Sequence, residues 1–235
     1  SDLAVINDIL AFSRLDAGKF TFVEEDLDLN DILEHSLAIL AGSAHSKNLE
    51  LVGDVKSGVC RWLRGDQGRL QQILNNLVGN AIKFTDSGEV VITISPEPDR
   101  DNRAVLRFEI RDTGIGMSPA VQAKLFQSFS QADASTTRKY GGSGLGLAIS
   151  RQLVALMDGE IGVESTVGEG ATFWFTVALK KQVNPTPPPK SELADLDGVR
   201  VLIVDDNATN REILHHQLGN WNMRDEATAD GTEAL

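Results

Sequence analysis

The stretch Asn76-Leu77-Val78-Gly79-Asn80-Ala81-Ile82-Lys83-Phe84 separates into two faces when it is wound as a helix. At about 100 degrees per residue, Arg69, Gln72, Asn76, Asn80 and Lys83 share one side, and Leu70, Ile73, Leu74, Leu77, Val78 and Ala81 share the other. Asp66, a good N-cap, marks where this helix begins. Asparagine inside a helix costs about 0.5 kcal/mol or more relative to alanine, so Asn75, Asn76 and Asn80 are hard to explain by propensity. Two readings stay open: a solvated polar face, or a face turned to a ligand. In the second, amide oxygens can hold a divalent cation without setting a like charge against a polyphosphate.

Downstream, Leu106, Phe108 and Ile110 alternate with Arg107, Glu109 and Arg111, which predicts a strand with one solvated side. It runs into Asp112-Thr113-Gly114-Ile115-Gly116. An ionised aspartate only accepts hydrogen bonds, so beside glycines that admit close approach it would select an exocyclic amine over a carbonyl. An aspartate in an ordinary glycine turn is the competing reading. Further on, Gly141-Gly142-Ser143-Gly144-Leu145-Gly146 directly opens a helix expected over 145–157. Free backbone N–H groups and the positive helix end there can meet phosphates, and a flexible glycine loop is the alternative. A Gly-x-x-x-x-Gly-Lys-Ser/Thr sequence is absent, which removes the P-loop class. A Rossmann reading fails because no strand precedes these glycines.

In order and spacing the three stretches resemble the N, G1 and G2 boxes of a histidine-kinase ATP-binding domain, in the fold family of gyrase, Hsp90, histidine kinases and MutL. The set carries the resemblance, since one nucleotide needs an adenine acceptor, a metal ligand and a phosphate cradle at once. It implies an α/β fold, specifically the α+β two-layer sandwich of the Bergerat or GHKL type, with ATP and Mg²⁺ as cofactors. It implies that Asp112, Gly114 and Gly116 receive adenine and that Asn80 is the preferred magnesium ligand, with Asn76 supporting it. It also implies that Lys83 reaches phosphate or ribose, and that Gly142, Gly144, Leu145 and Gly146 cradle phosphates. Phe126 and Phe129 resemble the family's F box at the border of the ATP lid, although two phenylalanines three apart also read as core. Arg138 and Lys139 would be charge partners within that lid. Gly168-Glu169-Gly170-Ala171-Thr172-Phe173 matches the last glycine box and places Thr172 at the nucleotide, while a tight turn between two strands explains it equally well. Hydrolases of this fold family carry a glutamate where Asn76 stands here, so the resemblance points to a protein-histidine kinase rather than an ATPase.

The same resemblance organises the rest of the chain. Residues 1–18 are similar to the end of the second dimerisation-hairpin helix, with Leu3, Ile6, Leu10 and Leu15 at helical spacing and Ser13-Arg14 then Asp16-Ala17-Gly18 as the family's ending pattern. An ordinary amphipathic helix is the bland alternative. Residues 19–181 are the expected catalytic domain, with a further helix over 29–46 and strands over 49–53, 90–94, 105–111, 161–165 and 171–179. Prolines at 185 and 187–189 predict a stiff linker over 182–197. Beyond it Val201-Leu202-Ile203-Val204-Asp205-Asp206 predicts a buried parallel-type strand, then a helix over 209–219 and a strand over 223–228. These resemble the start of a response-regulator receiver domain, an incomplete doubly wound α/β segment over 198–235 in which Asp205 and Asp206 would bind magnesium weakly.

Both phosphorylation sites that the family implies, a hairpin histidine and a receiver aspartate on the third strand, fall outside the chain. His35, His45, His215 and His216 do not match the family motif and read as surface positions. The picture is the middle of a hybrid sensor histidine kinase in a phosphorelay. Its implied partners are its own dimerisation hairpin, in a homodimer, and a downstream His-phosphotransfer protein or response regulator. The alternatives are a nucleotide-binding regulatory module without chemistry, and a GHKL-type ATPase or serine kinase.

Composition narrows the classes further. The 235 residues carry 34 acidic and 22 basic side chains, a net charge of -12. That balance argues against nucleic acid as a partner, because phosphate-backbone binding relies on clustered Lys and Arg. The single cysteine, Cys60, excludes an intramolecular disulfide and a thiolate cluster, which fits a reducing cytoplasm. No apolar run approaches the ~20 residues of a membrane helix. The expectation is a cytoplasmic piece without membrane contact of its own, whether or not its parent is anchored in the inner membrane.

Overall fold

In the computed structural model, which describes residues 13, 21–126, 144–185 and 196–232, two units separate between Val183 and Asn184. Most of the expected hairpin end, Phe129, Arg138, Lys139, Gly142 and most of the proline tract lie outside the described residues. The first unit runs β1 (Glu25–Asp28), α1 (Leu29–His45), β2 (Leu49–Val55), β3 (Trp62–Gly65), α2 (Gln67–Phe84), β4 (Gly88–Arg100), β5 (Arg103–Asp112), α3 (Pro119–Gln122), α4 (Gly146–Leu156), β6 (Ile161–Thr166) and β7 (Gly170–Lys181). Its sheet has the order β1-β3-β7-β5-β4-β2, with β6 added alongside β7. Every pair is antiparallel except β2 with β4.

Local chemistry sets the helix starts. Asp28 caps α1 by accepting from the Asn30 amide at 3.0 Å, and Arg61 fixes its carboxylate through two bonds of 2.7 Å. Asp66 caps α2 from the Arg69 amide at 3.0 Å, and its second oxygen accepts from the Val23 amide at 3.1 Å. The apolar face expected of α2 is the buried one: Leu70, Ile73, Leu74, Leu77, Val78 and Ala81 are each at most 1% exposed. They share one core with Leu29 and Ile32 of α1 and with Ile92, Ile94, Leu106, Phe108, Ile110 and Phe175 of the sheet. Phe108 and Phe175, opposite each other in the β5/β7 register, stack at 4.5 Å with rings 5° apart. The other side of the sheet is polar, with the Arg107 guanidinium 4.4 Å from the Trp174 ring and bonded to Glu109 at 3.0 Å.

The sequence reading misses β1 and β3, and it ends β4 at Ile94. Pro96 and Pro98 break the alternation there, yet β4 continues because its pairing with β5 accommodates a register shift between Glu97 and Arg100.

The second unit contains β8 (Arg200–Val204), α5 (Ala208–Asn220) and β9 (Arg224–Thr228), with β8 and β9 parallel. Asn207 caps α5 from the amides of Thr209 and Asn210, at 2.8 and 3.3 Å. The expectation of a buried strand fails for most of β8. Ile203 is buried, as are Ile213 and Leu218 of α5, whereas Leu202 and Val204 are 49% and 48% exposed. One neighbouring strand and one helix cover a single face of β8 among the described residues.

The Phe108/Phe175 stack carries a direct prediction. Phe108→Ala is expected to destabilise the first unit by about 3–5 kcal/mol, the range for emptying an aromatic site in a closed core. Urea unfolding followed by circular dichroism measures it.

Candidate functional site

The end of β5 delivers Asp112 into a nearly closed position, 5% exposed. Its Oδ1 accepts from the Gly114 amide at 2.9 Å and from the Ala171 amide at 3.3 Å. Its Oδ2 meets no donor among the described residues. Burial pushes the carboxyl pKa up, and the two backbone amides oppose that shift by favouring the charged form. One oxygen is thus locked by the main chain and the other is available as an acceptor.

The glycines after Asp112 are explained by the protein's own backbone. A Cβ on Gly114 would come within 2.4 Å of the Phe84 carbonyl oxygen, and one on Gly116, at φ +63, within 1.9 Å of that of Thr166. The loop is clamped between two elements. The Ile115 amide donates to the Phe84 carbonyl at 3.4 Å, and the Gly168 amide donates to the Ile115 carbonyl at 2.8 Å. Just beyond, Gln122 donates to the carbonyls of Met117 and Ser165 at 2.9 and 2.8 Å.

The polar side of α2 meets this loop at one end and α4 at its middle. Asn76 donates to Ser150 Oγ at 2.9 Å, and a Cβ on Gly146 would fall 2.4 Å from Asn76 Oδ1. Asn76 therefore braces α2 against the start of α4. Asn80, one turn later and half-buried, has no hydrogen-bond partner among the described residues. Lys83 is also half-buried, its ammonium pKa is pushed down by burial, and Nζ lies 5.0 Å from the Phe84 ring centroid. Gly144 takes φ +69 and α4 opens at Gly146 without a side-chain cap. All three boxes therefore touch α2: the Asp112 loop at Phe84, the glycine loop's helix at Asn76, and the row between them on α2 itself.

Three expected site residues do not converge here. Thr172 pairs with Arg111, one position off the Asp112/Ala171 pair, so the pleat turns it to the opposite face of the sheet from Asp112. Phe126 packs against the hydrophobic core. Leu145 is 1% exposed within that core, so its side chain is structural. Gly168 and Gly170 form the turn joining β6 to β7, where a Cβ on Gly170 would approach the Asp112 carbonyl oxygen to 2.0 Å. Ser150, which sequence reasoning missed, lies 74 positions from the asparagine that it accepts from.

In the second unit both oxygens of Asp205 are engaged, Oδ1 by the Asn207 amide at 2.8 Å and Oδ2 by Asn210 Nδ2 at 3.2 Å. Asp206 is exposed. No group of three or more His, Cys, Asp or Glu side chains that could hold a metal ion occurs among the described residues.

Residues 65–181 match the family described as histidine kinase-, DNA gyrase B-, and HSP90-like ATPase. The chain is 45% identical over 216 residues to the sensor protein GacS of Pseudomonas syringae pv. syringae, covering 92% of this chain and 24% of that protein. It is 45% identical over 183 residues to the signal transduction histidine-protein kinase BarA of Escherichia coli K12, covering 78% of this chain and 20% of that one. The chain thus spans about a quarter or less of the length of these relatives. Among solved structures, full-length ShkA in complex with AMPPNP aligns with a TM-score of 0.81 at 35% identity, over 99% of this chain and 46% of that one. Residues 65–181 belong to the histidine kinase-, DNA gyrase B-, and HSP90-like ATPase family, and what the chain carries there is a histidine-kinase catalytic domain.

Proposed function

We propose that this chain is the ATP-binding catalytic portion of a hybrid two-component sensor histidine kinase, and that it transfers the γ-phosphoryl group of ATP to a histidine outside the chain for relay to an aspartate. The observation that carries the reading is Asp112. It is a buried carboxylate with one oxygen fixed by two amides and the other open, in a loop docked against the asparagine-bearing helix. An acceptor of this kind suits the adenine amino group. Full-length ShkA, 35% identical, is described with the ATP analogue AMPPNP.

The donor set fits Mg²⁺. The Asn80 amide has no partner among the described residues, and Asn76, which uses its nitrogen on Ser150, keeps its oxygen as an acceptor. Asn80 and Asn76 would hold the ion, which would supply positive charge to offset that of the phosphates. The residues of the chain hold the donor: Asp112, Gly114 and Gly116 at adenine, Asn80 and Lys83 at the phosphates, and the Gly144 to Gly146 turn at the start of α4. Transfer is favoured over hydrolysis because α2 contains no carboxylate from Gln67 to Phe84, leaving no base on this helix to activate water. The acceptor partner in this reading is the dimerisation hairpin of the parent, in a homodimer, with a His-phosphotransfer protein or response regulator downstream. No helix among the described residues is long and apolar enough to cross a membrane, and we place this portion in the cytoplasm, where ATP is supplied.

Calorimetric titration with Mg·ADP is expected to show saturable binding, weakened roughly 10- to 100-fold by Asp112→Ala or Asn80→Ala as one buried polar contact is lost. Absence of binding by the folded chain would end the ATP-site reading. Incubation with radiolabelled ATP should leave the chain alone unlabelled on histidine and label an added dimerisation hairpin of its parent. Acid-labile label on the chain itself would instead identify His35, His45, His215 or His216 as an acceptor.

The raised Asp112 pKa gives a pH dependence. With Oδ1 held by two amide donors, protonation falls on Oδ2 and puts a donor where the adenine amine needs an acceptor, so affinity is full above the raised value and falls as pH drops through it, by up to about tenfold per pH unit. The fold responds oppositely. The folded chain holds this proton more tightly than the unfolded one, so Asp112 itself contributes stability that is lost as pH rises between the two values. Asp112→Asn should bind weakly without the extra acid step, while retaining the titrations of nucleotide and metal.

A further inference from the structure

Helix α2 ends without a glycine turn. Thr85, its C-cap, is extended at φ -104, ψ 123, so the last carbonyls have no left-handed cap to satisfy them. Each nevertheless has a partner. The Ala81 carbonyl accepts from Thr85 Oγ1 at 2.7 Å, and that of Phe84 accepts from the Ile115 amide at 3.4 Å. The remaining two, of Ile82 and Lys83, both accept from Lys47 Nζ at 2.8 Å, and the Thr85 carbonyl takes its third bond at 3.0 Å. An ammonium has three protons, and all three are spent on one helix end 35 to 38 positions away in sequence. Asp86, at 4.0 Å and largely exposed, is its one ion-pair contact among the described residues.

We propose that Lys47 is a positioning residue for nucleotide binding: by bonding the end carbonyls of α2, it holds the terminal turn that presents Lys83 and docks the Asp112 loop through Phe84. This rests on the reading of the polar side of α2 as the nucleotide site. The core-facing residues of α2 lie mostly upstream and are sealed against the sheet, so they hold the body of the helix without Lys47. Ala81 and Ile82 seat the last turn against the core, while the terminal carbonyls of Ile82 and Lys83, beside which the Lys83 side chain leaves the helix, are held by Lys47. A helix C-terminus also carries roughly half a negative charge, which opposes a polyphosphate bound beside Asn80 and Lys83. The ammonium of Lys47 offsets that charge while its three bonds fix the turn. Arginine cannot substitute, because a planar fork does not converge three donors on carbonyls grouped around one point.

The test is a cycle of Mg·ADP affinities for the wild type, Lys47→Met, Lys83→Met and the double variant. Each single change is expected to weaken binding about tenfold, the loss of one charge-assisted interaction. If Lys47 acts through the turn that presents Lys83, the double variant stays near the weaker single variant. Unchanged affinity of Lys47→Met, or a double variant that shows the full product of the two losses, overturns the proposal. Should Lys47→Met fail to fold, Lys47→Arg enters the same cycle, and wild-type affinity for it overturns the three-carbonyl geometry. Hydrogen exchange without nucleotide separates this proposal from the site reading. The amides of Lys83, Phe84 and Ile115 should exchange at least about tenfold faster in Lys47→Met while Phe108 is unchanged, as expected for local opening. Unchanged exchange at 83, 84 and 115 rejects the holding role of Lys47 whether or not nucleotide binds. Accelerated exchange in a chain whose wild type binds no Mg·ADP would reject the site reading and leave that role standing.

Discussion

The rotation of α2 about its own axis is the constraint on which the remaining geometry depends. Burying a leucine or isoleucine side chain is worth about 1.5–3 kcal/mol, and Leu70, Ile73, Leu74 and Leu77 are all sealed on one face. Turning the helix by one residue, about 100 degrees, would move this row out of the core and drive asparagine amides into it. The core therefore fixes where Asn76, Asn80 and Lys83 point before any ligand is considered. Asn76 then meets α4 through Ser150 and Gly146, while Phe84 at the helix end meets the Asp112 loop.

Close backbone contact is the second constraint, and it gives the glycines a different meaning from the one that sequence suggests. At Gly114, Gly116 and Gly170 a side chain would collide with carbonyl oxygens of the protein itself. These positions let three segments pass within hydrogen-bond range: the end of α2, the loop after β5 and the β6/β7 turn. The rigidity of that junction holds Asp112 Oδ1 on two amides and leaves Oδ2 without a donor among the described residues.

The parts legible in sequence are those encoded locally. The periodicity of α2, its Asp66 cap and the alternation in β5 are read within a few residues of each other, and the structure has all three. Strands β1 and β3 are four residues each, with Leu27 and Leu63 as their buried apolar anchors, and they exist as strands because they pair with each other and with β7. Nothing within them announces that. Thr172 shows the converse limit. A motif match gives a position along the chain, but the pleat decides the face, and a shift of one residue from Ala171 reverses it. The contacts of Asn76 with Ser150 and of Lys47 with the end of α2 join residues 74 and at least 35 positions apart, which no local pattern reports.

Asn76 links this architecture to the choice of chemistry. Its amide nitrogen donates to Ser150, which is 2% exposed, so the nitrogen serves the packing of α2 on α4. A glutamate at this position would have acceptors only and would be longer by one methylene. It could not make the bond that Asn76 makes unless the serine hydroxyl turned to donate. The longer side chain would also crowd the start of α4, where the backbone of Gly146 approaches so closely that an added Cβ would lie 2.4 Å from Asn76 Oδ1, and its charge would repel a phosphate there. The tight junction between the two helices thus selects a short neutral amide. The same selection leaves α2 without a carboxylate that could activate water, which is the ground for proposing transfer to another acceptor rather than hydrolysis.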